Sequence, residues 1–197
     1  EPNMVLGRAN KLFLGFCKNI LCYSKDINNF PSEYKYKISL IYPLIRKNFY
    51  NYISKEKNEK NEFNLMIVGG SQGAKIFDTN IKYSIQQLSK KFKIKVCHQT
   101  EKNNISQLKD FYKQNNINCS VFDYVDNFID LLHDADLCVT RAGASTISEL
   151  IFLEIPFLAI PLPTAKDNHQ FENANYYKKK DCCWILSQKE FNKDKLL

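Results

Sequence analysis

The chain has 197 residues, 44% hydrophobic and 25% charged, which excludes a mainly disordered polypeptide and suffices for one good domain or two small ones. No run approaches the ~18 apolar residues of a membrane span, and no Arg-rich or apolar targeting segment opens the chain. The net charge of +7 is uneven: residues 1–62 hold 11 Lys+Arg against 6 Asp+Glu, and residues 63–197 hold 17 against 15.

The basic excess thus lies in the first third, where a solvated Lys-rich face or an anionic partner would each explain it. Arg8, Arg46 and Arg141 are the only arginines, and base reading leans on Arg, so no nucleic-acid partner is expected. The 7 cysteines are scattered, odd in number and without a C-x-x-C pair, which fits a reduced compartment. His98, His133 and His169 are too far apart for zinc-type spacing. The chain opens at Glu1 rather than Met, inside what later reads as a motif, so a fragment of a longer protein is expected.

In chain order, Val5, Ala9, Leu12, Phe13 and Phe16 recur at helical spacing and predict a helix over 4–16. Short strands are expected at 20–24 and 36–42. Residues 54–62 carry alternating charge and no apolar side chain, and read as an exposed linker. The expected division is therefore 1–53, a linker at 54–62, and a domain over 63–197. From Phe63 the pattern alternates. Strands are predicted at 63–68, 94–98, 119–122, 137–140, 157–160 and 182–186, with amphipathic helices at 74–91, 103–116, 127–133, 146–153 and 168–180. This predicts an α/β fold with a Rossmann-like parallel sheet covered on both faces. Ligands bind such sheets at the carboxyl ends of the strands, which directs attention to the loops 69–73, 98–103, 123–127, 140–145 and 161–168.

Three of these loops carry chemistry. Gly69-Gly70-Ser71-Gln72-Gly73 follows a strand and precedes a helix, so its glycines permit positive φ and the helix directs free N–H groups toward an anion. It is neither G-x-G-x-x-G nor a P-loop, and a plain tight turn would have the same composition. Thr140-Arg141-Ala142-Gly143-Ala144-Ser145-Thr146 repeats the arrangement. Thr146 to Glu149 has capping-box spacing, so Glu149 either caps its own helix or accepts hydrogen bonds from the diol of a ribose or sugar. In the third loop, Asp167 or Asn168 is the candidate N-cap, which places His169 and Gln170 in a first helical turn, suited to neutral hydroxyls or simply to capping. Asp134-Ala135-Asp136 precedes its strand and reads as a turn rather than a metal site.

Five segments taken together are more specific than any one of them. They are Gly69–Ala74, His98-Gln99-Thr100, Asp123-Tyr124-Val125-Asp126, 141–149 (RAGASTISE) and 167–174 (DNHQFENA), in that order. The set resembles the MurG family of N-acetylglucosaminyltransferases of peptidoglycan synthesis, specifically the carboxy-terminal, donor-binding half of a two-domain GT-B enzyme. Glu1-Pro2-Asn3 is similar to the family's Glu-Gln-Asn, and Pro43-Leu44-Ile45-Arg46 to its Asn-Pro-Val-Arg, so 1–53 is expected to be a remnant of the amino-terminal, acceptor domain.

The resemblance implies inverting transfer of N-acetylglucosamine from UDP-N-acetylglucosamine to lipid I, giving lipid II, at the cytoplasmic side of the inner membrane as a peripheral protein. It implies roles for matching positions. Ser71 and Gln72 flank the diphosphate with Gly143, Ala144, Ser145 and Thr146, Val125 offers backbone hydrogen bonds to uracil, and Glu149 takes the ribose. His169 and Gln170 read the sugar hydroxyls, while Asn3 and Arg46 line the cleft between the halves. It implies no metal or other cofactor and a general base upstream of Glu1, so this chain alone is expected to bind donor and transfer little. The implied partners are UDP-N-acetylglucosamine, lipid I, the amino-terminal domain and the membrane face. Leu12, Phe13, Leu14 and Phe16 beside Arg8, Lys11 and Lys18 fit either lipid contact or packing into that domain. Departures from the family pattern are Pro2, Ile41-Tyr42, Glu101 where the family has Gly, and His169 where Gln is common. Two other readings are a catalytic half that needs a separate membrane partner and a non-catalytic UDP-sugar sensor. A dinucleotide oxidoreductase fits least, because the turn lacks the fingerprint spacing.

Overall fold

The computed structural model describes residues 1–52, 61–69 and 75–191. Most of the expected linker and the loop bearing Ser71 and Gln72 therefore lie outside the described residues.

Six parallel strands form the main sheet: β3 (Phe63–Val68), β4 (Ile94–Gln99), β5 (Asn118–Phe122), β6 (Leu137–Thr140), β7 (Phe157–Ala159) and β8 (Cys183–Ile185). Their spatial order is β5-β4-β3-β6-β7-β8. Two further strands, β1 (Ile20–Cys22) and β2 (Ile38–Leu40), pair in parallel as a separate ribbon. All six strands of the main sheet were legible in the sequence, with ends that move by one residue.

The main-sheet strands alternate between two covered faces, as a buried parallel sheet requires. Leu65, Ile67, Ile94, Val96 and Val139 pack with the helices α3 (Lys82–Ser89) and α4 (Ile105–Gln114). Met66, Val68, Cys97, Cys138, Phe157 and Ala159 pack on the other face with α5 (Phe128–His133), α6 (Ala144–Phe152) and α7 (His169–Lys178). A π-helical turn over Phe77–Ile81 leads into α3, so the helix expected over 74–91 is broken in character at its start.

The amino-terminal segment departs from its periodicity. Only α1 (Arg8–Phe13) is helical there, and none of its residues is buried. Met4–Leu6 runs extended instead, because Leu6 N–H donates to the Asn28 carbonyl at 3.0 Å and Asn28 N–H to the Met4 carbonyl at 2.8 Å. Val5 is thus buried outside any helix, Leu12, Phe13 and Phe16 are exposed, and Leu14, just past α1, is buried. Leu6, Leu14, Cys22, Ile27 and Phe30 make a small core of their own. The short helix α2 (Lys47–Tyr50) belongs to the larger body: Phe49, with Ile45 and Tyr52, packs into the α5–α7 face of the main sheet.

The Asp134-Ala135-Asp136 turn ties the base of the sheet. Asp136 accepts from Asn64 N–H at 2.7 Å and donates its own N–H to the Asn64 carbonyl at 2.8 Å. Among the described residues no group of His, Cys, Asp or Glu is arranged to hold a metal ion, no helix is long and apolar enough to cross a membrane, and all seven cysteines are free.

Candidate functional site

The chain runs outward from β3 through β4 to β5 and then returns to place β6 on the other flank of β3. That reversal opens a crevice at the carboxyl ends of β3 and β6, where Val68 and Thr140 lie side by side in register. A cavity of about 960 Å³, lined by Asn64, Lys93, Lys95 and Asn118, lies at the opposite ends of the strands. The crevice is the better site on topological grounds.

From β6 the chain enters α6 through Ala142 and Gly143. Gly143 has φ −69°, so the glycine is not needed for a left-handed turn there. What it leaves is space: a Cβ at Gly143 would meet none of the described residues within 4 Å. Among the described residues no side chain caps α6, so the first-turn N–H groups of Ala144, Ser145 and Thr146 have no partner within the helix and point toward that space. The capping-box alternative for Glu149 fails, because the helix begins at Ala144 and places Glu149 beyond its first turn.

The Glu149 carboxylate, 5% exposed, instead accepts two hydrogen bonds from Arg46, Nε to Oε1 at 2.6 Å and Nη2 to Oε2 at 2.9 Å. The Arg46 guanidinium lies 5.0 Å from both the Phe49 and Phe128 ring centroids. A fork-to-fork pair of this kind fixes the carboxylate plane and leaves each oxygen further acceptor capacity. Arg46 and Glu149, 103 residues apart in sequence, are thus brought together.

Asn3 reaches the same region through a side chain the sequence did not single out. The buried Asn173 carboxamide accepts from Met4 N–H at 2.8 Å and donates to Asn3 Oδ1 at 3.0 Å and to the Ala142 carbonyl at 3.1 Å. One residue of α7 therefore joins the amino-terminal segment to the loop that opens α6. Val125 is partly buried against the same cluster as Phe128.

His169 and Gln170 open α7, as expected, after two residues with left-handed backbone, Asp167 and Asn168, each at φ 55°. Asn168 occupies the N-cap position without making a side-chain cap bond. His169 Nδ1 is 2.7 Å from the Lys166 carbonyl, and Gln170 Oε1 accepts from Leu162 N–H at 2.9 Å. His169 lines a cleft of about 380 Å³ with Asn3, Arg8, Asn10 and Asp167.

A second group at the carboxyl end of β4 also escaped sequence reasoning. His98, fully buried, has Nε2 3.2 Å from Asp78 Oδ1 and Nδ1 2.9 Å from the Tyr112 hydroxyl. Asp78 Oδ2 accepts from Thr100 Oγ1 at 2.8 Å and Asn104 Nδ2 at 2.9 Å. Burial pushes the His98 imidazole below its ordinary pKa, against the partial opposition of Asp78. Burial acts to raise Asp78, but the His98 imidazole 3.2 Å away and the bonds from Thr100 and Asn104 together hold it below the usual carboxylate range. Asp78 belongs to the π-helical turn, so the network pins the helix that follows the glycine-rich loop. Arg141 donates to the Ile160 carbonyl at 2.9 Å and stacks 5.2 Å from the Phe77 ring in that turn. The pairing of His98 with Asp78 has no local sequence signal; the HQT tripeptide marked only the loop.

Known proteins resemble this chain along its whole length. The glycosyltransferase family 28 C-terminal domain matches residues 64–197. A UDP-N-acetylglucosamine–N-acetylmuramyl-(pentapeptide) pyrophosphoryl-undecaprenol N-acetylglucosamine transferase of Pelagibacter ubique (strain HTCC1062) is 52% identical over 198 residues, covering 100% of this chain and 55% of that protein. The protein of the same description from Rickettsia canadensis (strain McKiel) is 39% identical over 201 residues, covering 100% of this chain and 56% of its own length. The chain therefore spans about half the length of the curated relatives it matches. Among solved structures, Acinetobacter baumannii MurG superposes with a TM-score of 0.80 at 24% identity, covering 100% of this chain and 55% of that one. A Staphylococcus aureus MnaA–UDP structure superposes at 0.60 with 10% identity, over 95% of this chain and 51% of that one, a likeness of fold alone. With a parallel α/β sheet, a switch-point crevice and a family match across the whole sheet, the chain belongs to the glycosyltransferase family 28 C-terminal domain family.

Proposed function

We propose that this chain is the donor-binding half of an inverting hexosyltransferase that moves N-acetylglucosamine from UDP-N-acetylglucosamine to lipid I, giving lipid II in peptidoglycan synthesis. The observation that carries the reading is the buried Glu149 carboxylate, held by Arg46 on the helix whose uncapped N-terminus opens into the switch-point crevice. The diphosphate lies at that N-terminus, against Gly143, Ala144, Ser145 and Thr146, and Ser71 and Gln72 are assigned to the same group. The helix dipole and free N–H groups stabilise the charge that develops on the leaving UDP, a role such preorganised donors fill without a metal ion. Glu149 takes the ribose diol on the lone pairs Arg46 leaves free. The Val125 backbone pairs with uracil. His169 and Gln170 meet the sugar, with Asn3 in the cleft beside His169.

The general base and the lipid I site are assigned to an amino-terminal domain such as the longer relatives have room for. Leu12, Phe13 and Phe16, 75%, 63% and 88% exposed beside Arg8 and Lys11, supply an apolar and basic surface for peripheral contact with the cytoplasmic membrane face.

Calorimetric titration tests the reading, with UDP-N-acetylglucosamine against UDP, UDP-N-acetylgalactosamine and NAD. The chain is expected to select the N-acetylglucosamine donor over NAD. Glu149→Ala is expected to weaken binding by about 10–100-fold, the worth of one or two charge-assisted bonds. A folded chain that binds no uridine nucleotide, even with the amino-terminal half supplied, would overturn it.

A further inference from the structure

We propose that His169 reads the donor sugar as a fixed hydrogen-bond acceptor, an inference that rests on the donor reading above and adds to it which partner atom the site demands. A backbone carbonyl only accepts, so the 2.7 Å contact between His169 Nδ1 and the Lys166 carbonyl requires the proton on Nδ1. In the neutral ring that leaves Nε2 as a bare lone pair. The left-handed Asp167 and Asn168 backbone holds the Lys166 carbonyl in this position, and the Arg8 to Asp167 ion pair at 3.2 Å braces the turn from the amino-terminal segment.

The neighbouring side chain is fixed in the complementary sense. A backbone N–H only donates, so its 2.9 Å bond from Leu162 commits Gln170 Oε1 and leaves the amide NH₂ as the free group. The turn therefore presents one acceptor and one donor, neither of which can exchange roles. A glutamine at position 169 could flip its amide and serve as either. His169 cannot, so the ligand atom meeting Nε2 must carry a hydrogen. A sugar hydroxyl satisfies this; an ether, a ring oxygen or a fluorine in its place does not. The cleft that His169 shares with Asn3, Arg8 and Asn10 is about 380 Å³, ample for one hexose ring.

Two measurements test this. In the chain labelled with ¹⁵N-histidine at about pH 8.5, where free imidazole is neutral, long-range proton–nitrogen spectra report the tautomer, and His169→Gln identifies its signals. Protonated Nδ1 and bare Nε2 are expected; an Nε2–H tautomer, or a fast mixture of both, overturns the proposal. The second measurement compares UDP-N-acetylglucosamine with derivatives fluorinated at the sugar 3-, 4- or 6-position. At one position the fluorine is expected to weaken binding about tenfold, and about twofold or less in His169→Gln. An equal deficit in both chains overturns the proposal. UDP lacks the N-acetylglucosamine ring and, on the donor reading, has no group that meets this turn, so loss of UDP binding counts against the donor reading, while the tautomer still decides His169.

Discussion

At the scale of single residues, two charge arrangements divide the work. Arg46 and Glu149 form a pair whose carboxylate is buried and whose guanidinium side chain is 53% exposed. Solvent screening at Arg46 limits what the pair adds to stability, so its main effect is to hold the carboxylate in one plane. His98 and Asp78 are the structural counterpart, and their perturbed titration predicts a pH dependence. The folded pKa of His98 lies below its unfolded value, so the unfolded chain takes up the proton first on acidification. The stability His98 contributes is full above about pH 6.5 and is lost as pH falls toward its folded pKa. Asp78, also held low, contributes stability that is full above about pH 4 and is lost as pH falls through its folded pKa. The urea midpoint is therefore expected to fall between pH 7 and 5, before most carboxylates titrate. His98→Asn is expected to be less stable at pH 7 and to show a shallower fall over that interval. Parallel curves for the two proteins would refute the assignment.

At the scale of elements, α2 shows how a short piece of chain is held by what it packs against. Four residues cannot sustain a helix by hydrogen bonding alone. Phe49 is 0% exposed and seated among residues of the α5–α7 face, so the element is stabilised by burial. Phe49→Ala is expected to cost about 3–5 kcal/mol in urea unfolding, as for other fully buried Phe side chains. A loss below about 1 kcal/mol would mean that residues 45–52 lie outside the cooperative unit. The same logic explains α1. It buries nothing of its own, and the apolar residues that suggested a longer helix divide between an extended buried segment and an exposed surface. Helical spacing in that stretch was coincidental, since the pairing of Met4 and Leu6 with Asn28 won over the local period.

At the scale of the whole molecule, Asn173 joins the two parts of the chain. It is 2% exposed and holds Met4, Asn3 and Ala142 at once. Asn173→Ala orphans buried backbone groups, each worth about 1–3 kcal/mol. Hydrogen exchange is expected to accelerate across residues 1–30 while β3, β4 and β6 stay protected. Uniform acceleration would show instead that Asn173 supports the main core as a whole.

The sequence by itself determined the strands of the main sheet, the helices that cover it and the loops at the carboxyl ends of its strands. Each strand is a short run of apolar residues bounded by turn formers, and each such signal is local to a few residues. It also marked Glu149, His169 and Gln170 as site candidates, since motif and position coincide there. Only the tertiary structure decided that Glu149 is paired with Arg46 rather than capping its helix. It alone showed that His98 meets Asp78 and that Asn173 joins segments 169 and 31 residues away. Those contacts close long loops, and their partners are chosen by the packing of the sheet, whose order places β6 beside β3 across the whole β4–β5 excursion. A pairing fixed by that crossover has no period or spacing along the chain from which it could be read.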